Sequence, residues 1–507
     1  MNNFSPIYKA IEQSPSNSDL YHQLGLACYE QKLFSQAIEA WEKAVSLEPG
    51  FMDARASLGL CYSHTKQYHI ARKILTQGVH YQKNHIPCLI NLALAWQMDG
   101  YFKEASEWYQ KILAIDAGHQ KALFGYGKLL YQTGNYQQAI HHLKRLIEIN
   151  PNFYQAIYEL GCAYQDSHLN IEAMNCFQSI IKLKPDYAPA YYNLGKICQI
   201  SGHLSLAEDF FKLAIQVKKD FAEVYASLGV LYLDRADIHT AQSMFLESFQ
   251  QKHDVNIFSV YLYFLNFIPD IEKNQTLAYH QEWGTKLSSS HPICSHRYHD
   301  FDPTRVIKIG YVSPDFREHS VFYFIFPLLI KHDRKRFKIY IYSNVQKKDH
   351  LTDKIQALGH KFRDIRGMSA SAAARCVQKD GIDILVDLAG HTQNHRLDLF
   401  AFKPAPLQVT YIGYPNTTGL CQMDYRITDT IADPINDCIE YPEKLIRLEP
   451  PFLCYSPPED LPEISRLPFL KNQYITFGSF NYLGKINTQV IQTWSELMKK
   501  IPDSRLI

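Results

Sequence analysis

Three apolar runs in the second half of this 507-residue chain end in loops whose residue types can do chemistry. Residues 381–419 read GIDILVDLAGHTQNHRLDLFAFKPAPLQVTYIGYPNTTG. The run 382–388 is short and rich in β-branched residues, as a buried strand should be. It stops at Gly390, and a polar loop with His391, Thr392 and Asn394 follows. A second run, 407–412, breaks into Gly413, Tyr414, Pro415, Asn416, Thr417, Thr418 and Gly419. A third, 306–312, breaks into Ser313, Pro314 and Asp315 ahead of His319. Strand ends that carry glycine, hydroxyls, amides and imidazoles form the floor of a ligand crevice in an open α/β sheet. An imidazole after a strand-ending glycine, such as His391, is expected to face that crevice. Lys485 falls between a further strand and a helix, where phosphates sit in such folds.

The elements that must position these residues follow from pattern. From Arg305 onward, strands at 306–312, 338–342, 382–388, 407–412 and 425–428 alternate with helices at 322–331, 352–359 and 369–379, Ser369 capping the last. Such alternation predicts a mostly parallel sheet with helices on both faces. After a proline-rich crossing at 450–468, a strand at 474–480 and a helix at 488–500 begin another lobe. About 35 residues cannot complete a sheet, so the second lobe reads as begun and unfinished.

The first half is one unit repeated seven times. Leu24-Gly25, Leu58-Gly59, Leu92-Ala93, Tyr126-Gly127, Leu160-Gly161, Leu194-Gly195 and Leu228-Gly229 recur every 34 residues. Ala37, Ala71, Ala105, Ala139, Ala173, Ala207 and Ala241 follow at a constant offset. Small residues let two antiparallel helices approach, and large ones such as Trp41, Tyr109, Phe177, Phe211 and Phe245 fill the seam. This is the tetratricopeptide period. Stacked pairs predict a superhelix whose concave groove binds polypeptide. Asn91 and Asn193, just ahead of the Leu-Gly or Leu-Ala pair, are the candidates to hold a peptide backbone there. The expected organisation is a cap at 1–17, seven repeats at 18–252, a helical linker at 253–304, an α/β lobe at 305–470 and the start of a second lobe at 471–507.

The totals bound the rest. Lys+Arg 52 against Asp+Glu 51 gives no broad electrostatic case for nucleic acid or an anionic membrane. Eleven cysteines, without a C-x-x-C pair, sit mostly inside helical patterns, as reduced cysteines of a cytoplasmic protein do. The first residues, MNNFSPIYKAIEQSPSN, are too polar for a secretory signal, and no apolar run is long enough for a membrane span.

Taken in order behind the repeats, GYVSPDFREHSVFYF, DILVDLAGHT, KPAPLQVTYIGYPNTTGL, MDYRITD and FGSFNYLGK resemble the protein O-glycosyltransferases of the O-GlcNAc transferase and SPINDLY-like family. The resemblance covers nearly the whole chain. It implies a GT-B fold of two Rossmann-like lobes, here C-terminally truncated, with a nucleotide sugar between them. It further implies transfer of N-acetylglucosamine from UDP-GlcNAc to Ser or Thr of proteins presented by the repeats, with inversion, without a metal and with no cofactor beyond the donor. His319 matches the family histidine at the sugar and acceptor end of the cleft, where an imidazole accepts or orients a hydroxyl proton. Lys485 matches the lysine that contacts the pyrophosphate and offsets charge on the departing nucleoside diphosphate. His391 matches a pocket-wall position that is histidine in SPINDLY-like members, with Thr392 beside it. Gly413, Pro415, Thr418 and Gly419 match a loop that approaches the donor sugar. Asp380, once a candidate base in the family, precedes a buried strand at the end away from the cleft and reads as structural. Tyr482 stands where the family has an amide residue. GHT, IGYPNTTGL and FGSFN lean to the SPINDLY-like branch, some of whose members transfer fucose, so an O-fucosyltransferase using GDP-fucose is the alternative donor chemistry. A non-catalytic tetratricopeptide adaptor is the alternative of another class, since the expected truncation predicts that the chain alone does not turn over donor at a normal rate. Homodimerisation is left open by the sequence.

Overall fold

A computed structural model describes residues 4–251, 254–269, 271–295, 302, 304–436, 439–457 and 461–507. They form two compact units, Met1–Pro185 with Gly367–Ala372, and Asp186–Arg366 with Ala373–Ile507. The division falls between the fifth and sixth repeats, so compactness and repeat register mark different boundaries.

In the first unit, five helix pairs run from Ser18–Glu30 with Phe34–Leu47 to Tyr154–Asp166 with Asn170–Leu183. Two more pairs, Ala188–Ile200 with Leu204–Val217 and Ala222–Asp234 with Ile238–Gln251, belong to the second. The seam is as the spacing predicts. A Cβ on Gly25 would lie 2.4 Å from the Trp41 ring, one on Gly195 2.6 Å from Phe211, and one on Gly229 2.8 Å from Phe245. Each glycine therefore meets the large residue sixteen positions later on the return helix, and both faces are removed from water. The turn inside each pair carries a second period that the hydrophobic pattern does not show. Lys32, Lys66, Gly100, Gly134, His168, Gly202 and Ala236, again 34 apart, all have φ between 59° and 83°. Glycine fills that left-handed position in three of seven, and the other four bear a side chain at a steric cost of about 1 kcal/mol each. Successive repeats are tied at the end of their first helices by side-chain pairs: Tyr29 with His64, Gln97 with Gln132, Tyr131 with Asp166, and Gln199 with Asp234.

The second unit continues with helices Val255–Leu265 and Lys273–Ser288 and then a seven-stranded sheet, all parallel, in the order β3-β2-β1-β4-β5-β6-β7. The strands are β1 Ile307–Ser313, β2 Phe337–Ser343, β3 Lys361–Asp364, β4 Ile384–Asp387, β5 Leu407–Thr410, β6 Tyr425–Asp429 and β7 Lys444–Leu448. Helices Ser320–Lys331, His350–Ala357 and Ala370–Asp380 supply three of the crossovers. β1 and β2 end in five consecutive buried positions and β4 in three, as parallel strands covered on both faces should. Two strands escape the sequence reading. KFRD of β3 is polar, and KLIRL of β7 alternates at a sheet edge with three of its five side chains exposed, so neither shows an apolar run. The strand expected at 474–480 is shorter. Only Thr476–Phe477, β8, is paired, with β9 Arg505–Leu506, because β9 offers two residues to bond. Helix Thr488–Lys500 lies between them in sequence.

Candidate active site at the strand tips

The order of the sheet reverses between β1 and β4: β2 and β3 continue on one side, β5, β6 and β7 on the other. A ligand crevice forms at the carboxyl ends of the strands at such a point. Val312 of β1 lies in register with Asp387 of β4, and Asp387 with Thr410 of β5, so the loops after the three strands start at one level.

After β1, the Ser313 hydroxyl accepts the Asp315 amide at 2.9 Å and turns the chain. Asp315 is buried, and burial pushes its carboxyl up from the usual carboxylate range, against the pull of His319 and Arg317. Its oxygens lie 3.7 Å from His319 Nδ1 and 3.6 Å from the Arg317 guanidinium. His319 is half-buried and caps helix Ser320–Lys331, its Nδ1 accepting the Val321 amide at 3.3 Å. In that neutral form the proton sits on Nε2. If Nδ1 carries the proton instead and turns it toward Asp315, the Nε2 lone pair is released to accept a proton from a hydroxyl. The helix cap is thus the same residue that the sequence reading expects at the crevice.

After β4, Asp387 is fully buried, a residue that the motif reading did not single out. Its carboxylate accepts the amides of Ala389 (3.1 Å) and Gly390 (2.8 Å) and the Thr410 hydroxyl (2.9 Å). Burial nevertheless pushes its pKa up to about 6, the three donors opposing. Thr392 is half-buried and donates its hydroxyl to the Ala389 carbonyl at 2.9 Å. At the tip of β5, Ile412 has φ 55°, a conformation β-branched residues avoid, and strain of this kind concentrates at functional sites. Gly413 follows, and a Cβ there would lie 2.0 Å from the Leu388 carbonyl oxygen, so its glycine lets the β5 loop cross the β4 loop. Pro415 is exposed.

His391 does not face the crevice. It is buried against the helices that the sequence reading treated as a linker. Its Nε2–H donates to the Thr418 carbonyl at 2.9 Å, and its Nδ1 accepts the Ser259 hydroxyl at 2.7 Å. Ser259 in turn accepts from His395 Nε2–H at 2.8 Å, whose Nδ1 accepts the Leu397 amide. The chain of donors has one consistent direction. Burial drives His391 well below the ordinary imidazole pKa, and His395 and His280 down to about 4, so all three are neutral at pH 7. The loop that the sequence reserved for a donor sugar shares this environment. Thr417 and Thr418 are buried, and both hydroxyls together with the Thr418 amide donate to Glu443. Gly419, at φ 76°, lies against helix Lys273–Ser288. A Cβ on it would meet the His280 carbonyl oxygen at 2.0 Å, and one on Gly284 would meet the Gly419 oxygen at 1.8 Å. These glycines serve the approach of protein to protein.

Lys485 ends a 3-10 turn, Leu483–Lys485, between β8 and helix Thr488–Lys500, as expected, and is exposed. Among the described residues no hydrogen bond or ion pair joins it to His319. Asp380 lies at the amino end of β4, gripped by Arg363 (2.7 Å), Lys361 (3.1 Å) and the Tyr342 hydroxyl (3.0 Å), and its pKa is lowered to about 2. It is structural, as read. The two groove asparagines are engaged within the repeats. Asn91 donates to the Ala56 carbonyl at 2.8 Å, and Asn193, buried, to the Pro189 carbonyl at 3.1 Å.

Comparison with known proteins gives this arrangement a family. Residues 290–456 match the family model for glycosyl transferase family 41, and tetratricopeptide models match residues 18–51, 98–160 and 188–221. The chain is 43% identical over 247 residues to a probable UDP-N-acetylglucosamine–peptide N-acetylglucosaminyltransferase SPINDLY of Arabidopsis thaliana, covering 48% of this chain and 27% of that protein. It is 29% identical over 204 residues to the UDP-N-acetylglucosamine–peptide N-acetylglucosaminyltransferase of Caenorhabditis elegans, covering 40% and 18%. The matched stretch thus spans about a quarter of the curated relatives' length. Among solved structures, an O-GlcNAc transferase variant from Thermobaculum terrenum superimposes with a TM-score of 0.63 at 28% identity, over 70% of this chain and 67% of that one. Seven tetratricopeptide pairs thus lead into a glycosyl transferase family 41 domain, and the matches together support the O-GlcNAc transferase and SPINDLY-like family.

Proposed function

We propose that the chain acts in protein O-glycosylation, passing N-acetylglucosamine from UDP-GlcNAc to Ser or Thr hydroxyls of polypeptides held by the repeats. The observation that carries this reading is that the family 41 match covers the sheet whose reversal point bears Asp315, His319 and Asp387. In the proposed reaction the acceptor oxygen attacks the anomeric carbon from the face opposite the diphosphate. The bond to the diphosphate oxygen breaks and the configuration inverts. His319, with its Nδ1 proton turned to Asp315, takes or orients the hydroxyl proton at Nε2. Asp387 fixes the Ala389 and Gly390 amides, and with them the loop that carries Thr392. Lys485 offsets the charge that grows on the departing diphosphate. Gly413 and Pro415 belong to the donor side of this proposal. His391, Thr418 and Gly419 act by holding that loop in place.

The test is transfer of label by the purified chain from UDP-GlcNAc and, separately, GDP-fucose to an acceptor protein. The reading expects label on Ser or Thr from UDP-GlcNAc, lowered at least tenfold by His319→Ala and by Lys485→Ala, and unchanged by a chelator. Label from GDP-fucose alone would reassign the donor. No transfer from either, with the variants indistinguishable from wild type, would remove the reading that this chain by itself carries the activity.

A further inference from the structure

The turn that carries Lys485 is fastened to the seventh repeat through Tyr482 and Gly484. Asp234 is the last residue of helix Ala222–Asp234. A carboxylate at the carboxyl end of a helix faces the negative end of the backbone dipole and needs donors to stay there. It has two. Gln199 Nε2 of the sixth repeat donates to Oδ2 at 3.1 Å, and the Tyr482 hydroxyl donates to Oδ1. The Tyr482 ring stands edge-on to Phe267, centroids 5.6 Å apart. Two residues on, Gly484 is buried against Leu233, and a Cβ there would lie 2.9 Å from Leu233 Cδ1. The amide of Lys485 donates to the Tyr482 carbonyl at 3.0 Å, which closes the turn. The anchor itself is braced, since the neighbouring Tyr232 and Arg235 both bond Glu208 of the preceding helix, at 2.7 and 2.6 Å.

We propose that Tyr482 is a positioning residue: it latches the Lys485 turn onto the seventh repeat, so that the placement of the phosphate-binding ammonium depends on the peptide-holding array. The fastening repeats a device of the array itself, where Tyr131 donates to Asp166, the residue that ends the first helix of the fifth repeat, at 2.8 Å. Tyr482 supplies from outside the repeats the donor that a neighbouring repeat supplies there. Its consequence for the donor rests on the reading of Lys485 given above; the latch does not.

Hydrogen exchange on the full chain separates the two. Tyr482→Phe keeps the ring against Phe267 and removes the donor, so amides of residues 484–486 should exchange about tenfold faster, the factor expected for loss of a hydrogen bond to a charged group. Helix Thr488–Lys500 should keep its protection beyond the first turn. Asp234→Asn, which retains an acceptor oxygen, should give a smaller rise. Unchanged exchange in Tyr482→Phe would overturn the latch. In parallel, UDP affinity is measured by calorimetry in four proteins: wild type, Tyr482→Phe, Lys485→Ala and the double variant. The positioning role expects affinity to fall several-fold in Tyr482→Phe and the loss to vanish when Lys485 is already alanine. Equal loss in both backgrounds would overturn it. If wild type binds no UDP, the reading of Lys485 and the positioning role fail together, while the exchange result still decides the latch.

Discussion

Asp387 allows a sharp test of the strand-tip geometry through pH. Its pKa is about 6 in the folded protein, against an ordinary aspartate value of 3.8. The folded state therefore holds a proton that the unfolded chain has released between those two pH values. Stability changes with pH in proportion to protons bound unfolded minus protons bound folded, which here is negative. The contribution of Asp387 is thus fully present below pH 4 and is lost as pH rises through 6. A gap of about 2 units at 1.36 kcal/mol each makes the loss about 3 kcal/mol. No screening discount applies, because the residue is fully buried. Asp387→Asn removes the titration. The amide can accept on one atom only, so one of the three donors goes unpaired, a pH-independent cost of about 1–3 kcal/mol. The measurement is hydrogen exchange of amides in β4 and β5, corrected for intrinsic rate, from pH 4 to 7.5. The variant should start less stable than wild type and recover about 3 kcal/mol relative to it by pH 7. Taking the difference between the two proteins cancels every other titrating group. A difference that stays flat, or moves the other way, would mean that the carboxylate is well solvated or paired, and the closed strand-tip geometry would be wrong.

Three further outcomes follow from particular contacts. Asp380 titrates in the opposite sense: its pKa is lowered to about 2, so its stabilisation is present above about pH 4 and is lost as pH falls through 2. Because Lys361 and Arg363 are partly exposed, Asp380→Asn should cost about 1–2 kcal/mol at pH 7 and nothing near pH 2, read by urea unfolding at the two pH values. Gly284→Ala places a methyl 1.8 Å from the Gly419 carbonyl and should destabilise the second unit by about 3 kcal/mol or more, whereas Gly50→Ala, with open space around it, should be nearly neutral in thermal melts. In the repeat turns, Gly202→Ala meets no neighbour within 4 Å but keeps φ at 79°, so it should cost about 1 kcal/mol from backbone strain alone. Lys66→Gly, at φ 62°, should regain a smaller amount in the same melts.

The repeats were legible because two apolar periods coincide, Leu-Gly on one helix and the aromatic sixteen residues later on the next, and both are packing facts that sequence spells directly. The turn period was not, because Lys66, His168 and Ala236 occupy left-handed positions without looking like turn residues. The strands β1, β2, β4 and β5 were legible from apolar runs, while β3 was hidden by its polar sequence and β7 by its exposed edge. After β1, the structure places His319 and Asp315 beyond the carboxyl end of the strand, the position that the sequence reading expected for His319. The side chains of the next two loops were not legible in this way. A glycine-bounded loop with histidine and threonines looks the same in sequence whether its polar atoms meet a sugar or a buried protein helix. Glu443, which takes the two threonine hydroxyls, lies 25 residues on from Thr418 and carries no local signal.

The helices between the repeats and the sheet explain that failure and change what the strand tips are. Loss of the 34-residue period at 253–304 looks like a linker, yet Val255–Leu265 is buried at seven of its eleven positions. Trp283, buried, donates its indole N–H to the Val255 carbonyl at 2.7 Å and stacks edge-on against His391 at 4.4 Å. A flexible spacer would leave the loops after β4 and β5 free to be shaped by ligand. Here Ser259, His280 and Gly284 occupy one side of them, and neutral imidazoles complete every bond without a charge to desolvate. In the proposed function the donor therefore approaches from the other side, where the β1 tip carries His319. The cost of holding Ile412 at φ 55° is met by this packing. A substitution that loosens the helices, such as Ser259→Val, should therefore disturb the site without touching it: the Ser259 hydroxyl bridges two buried imidazoles, and removing it leaves His391 Nδ1 and the His395 N–H unpaired, at about 1–3 kcal/mol for each. Faster exchange of the Gly390 and Thr392 amides in that variant, with β2 unchanged, is the expected result, and uniform exchange across the sheet would refute the idea that these helices are part of the site's wall.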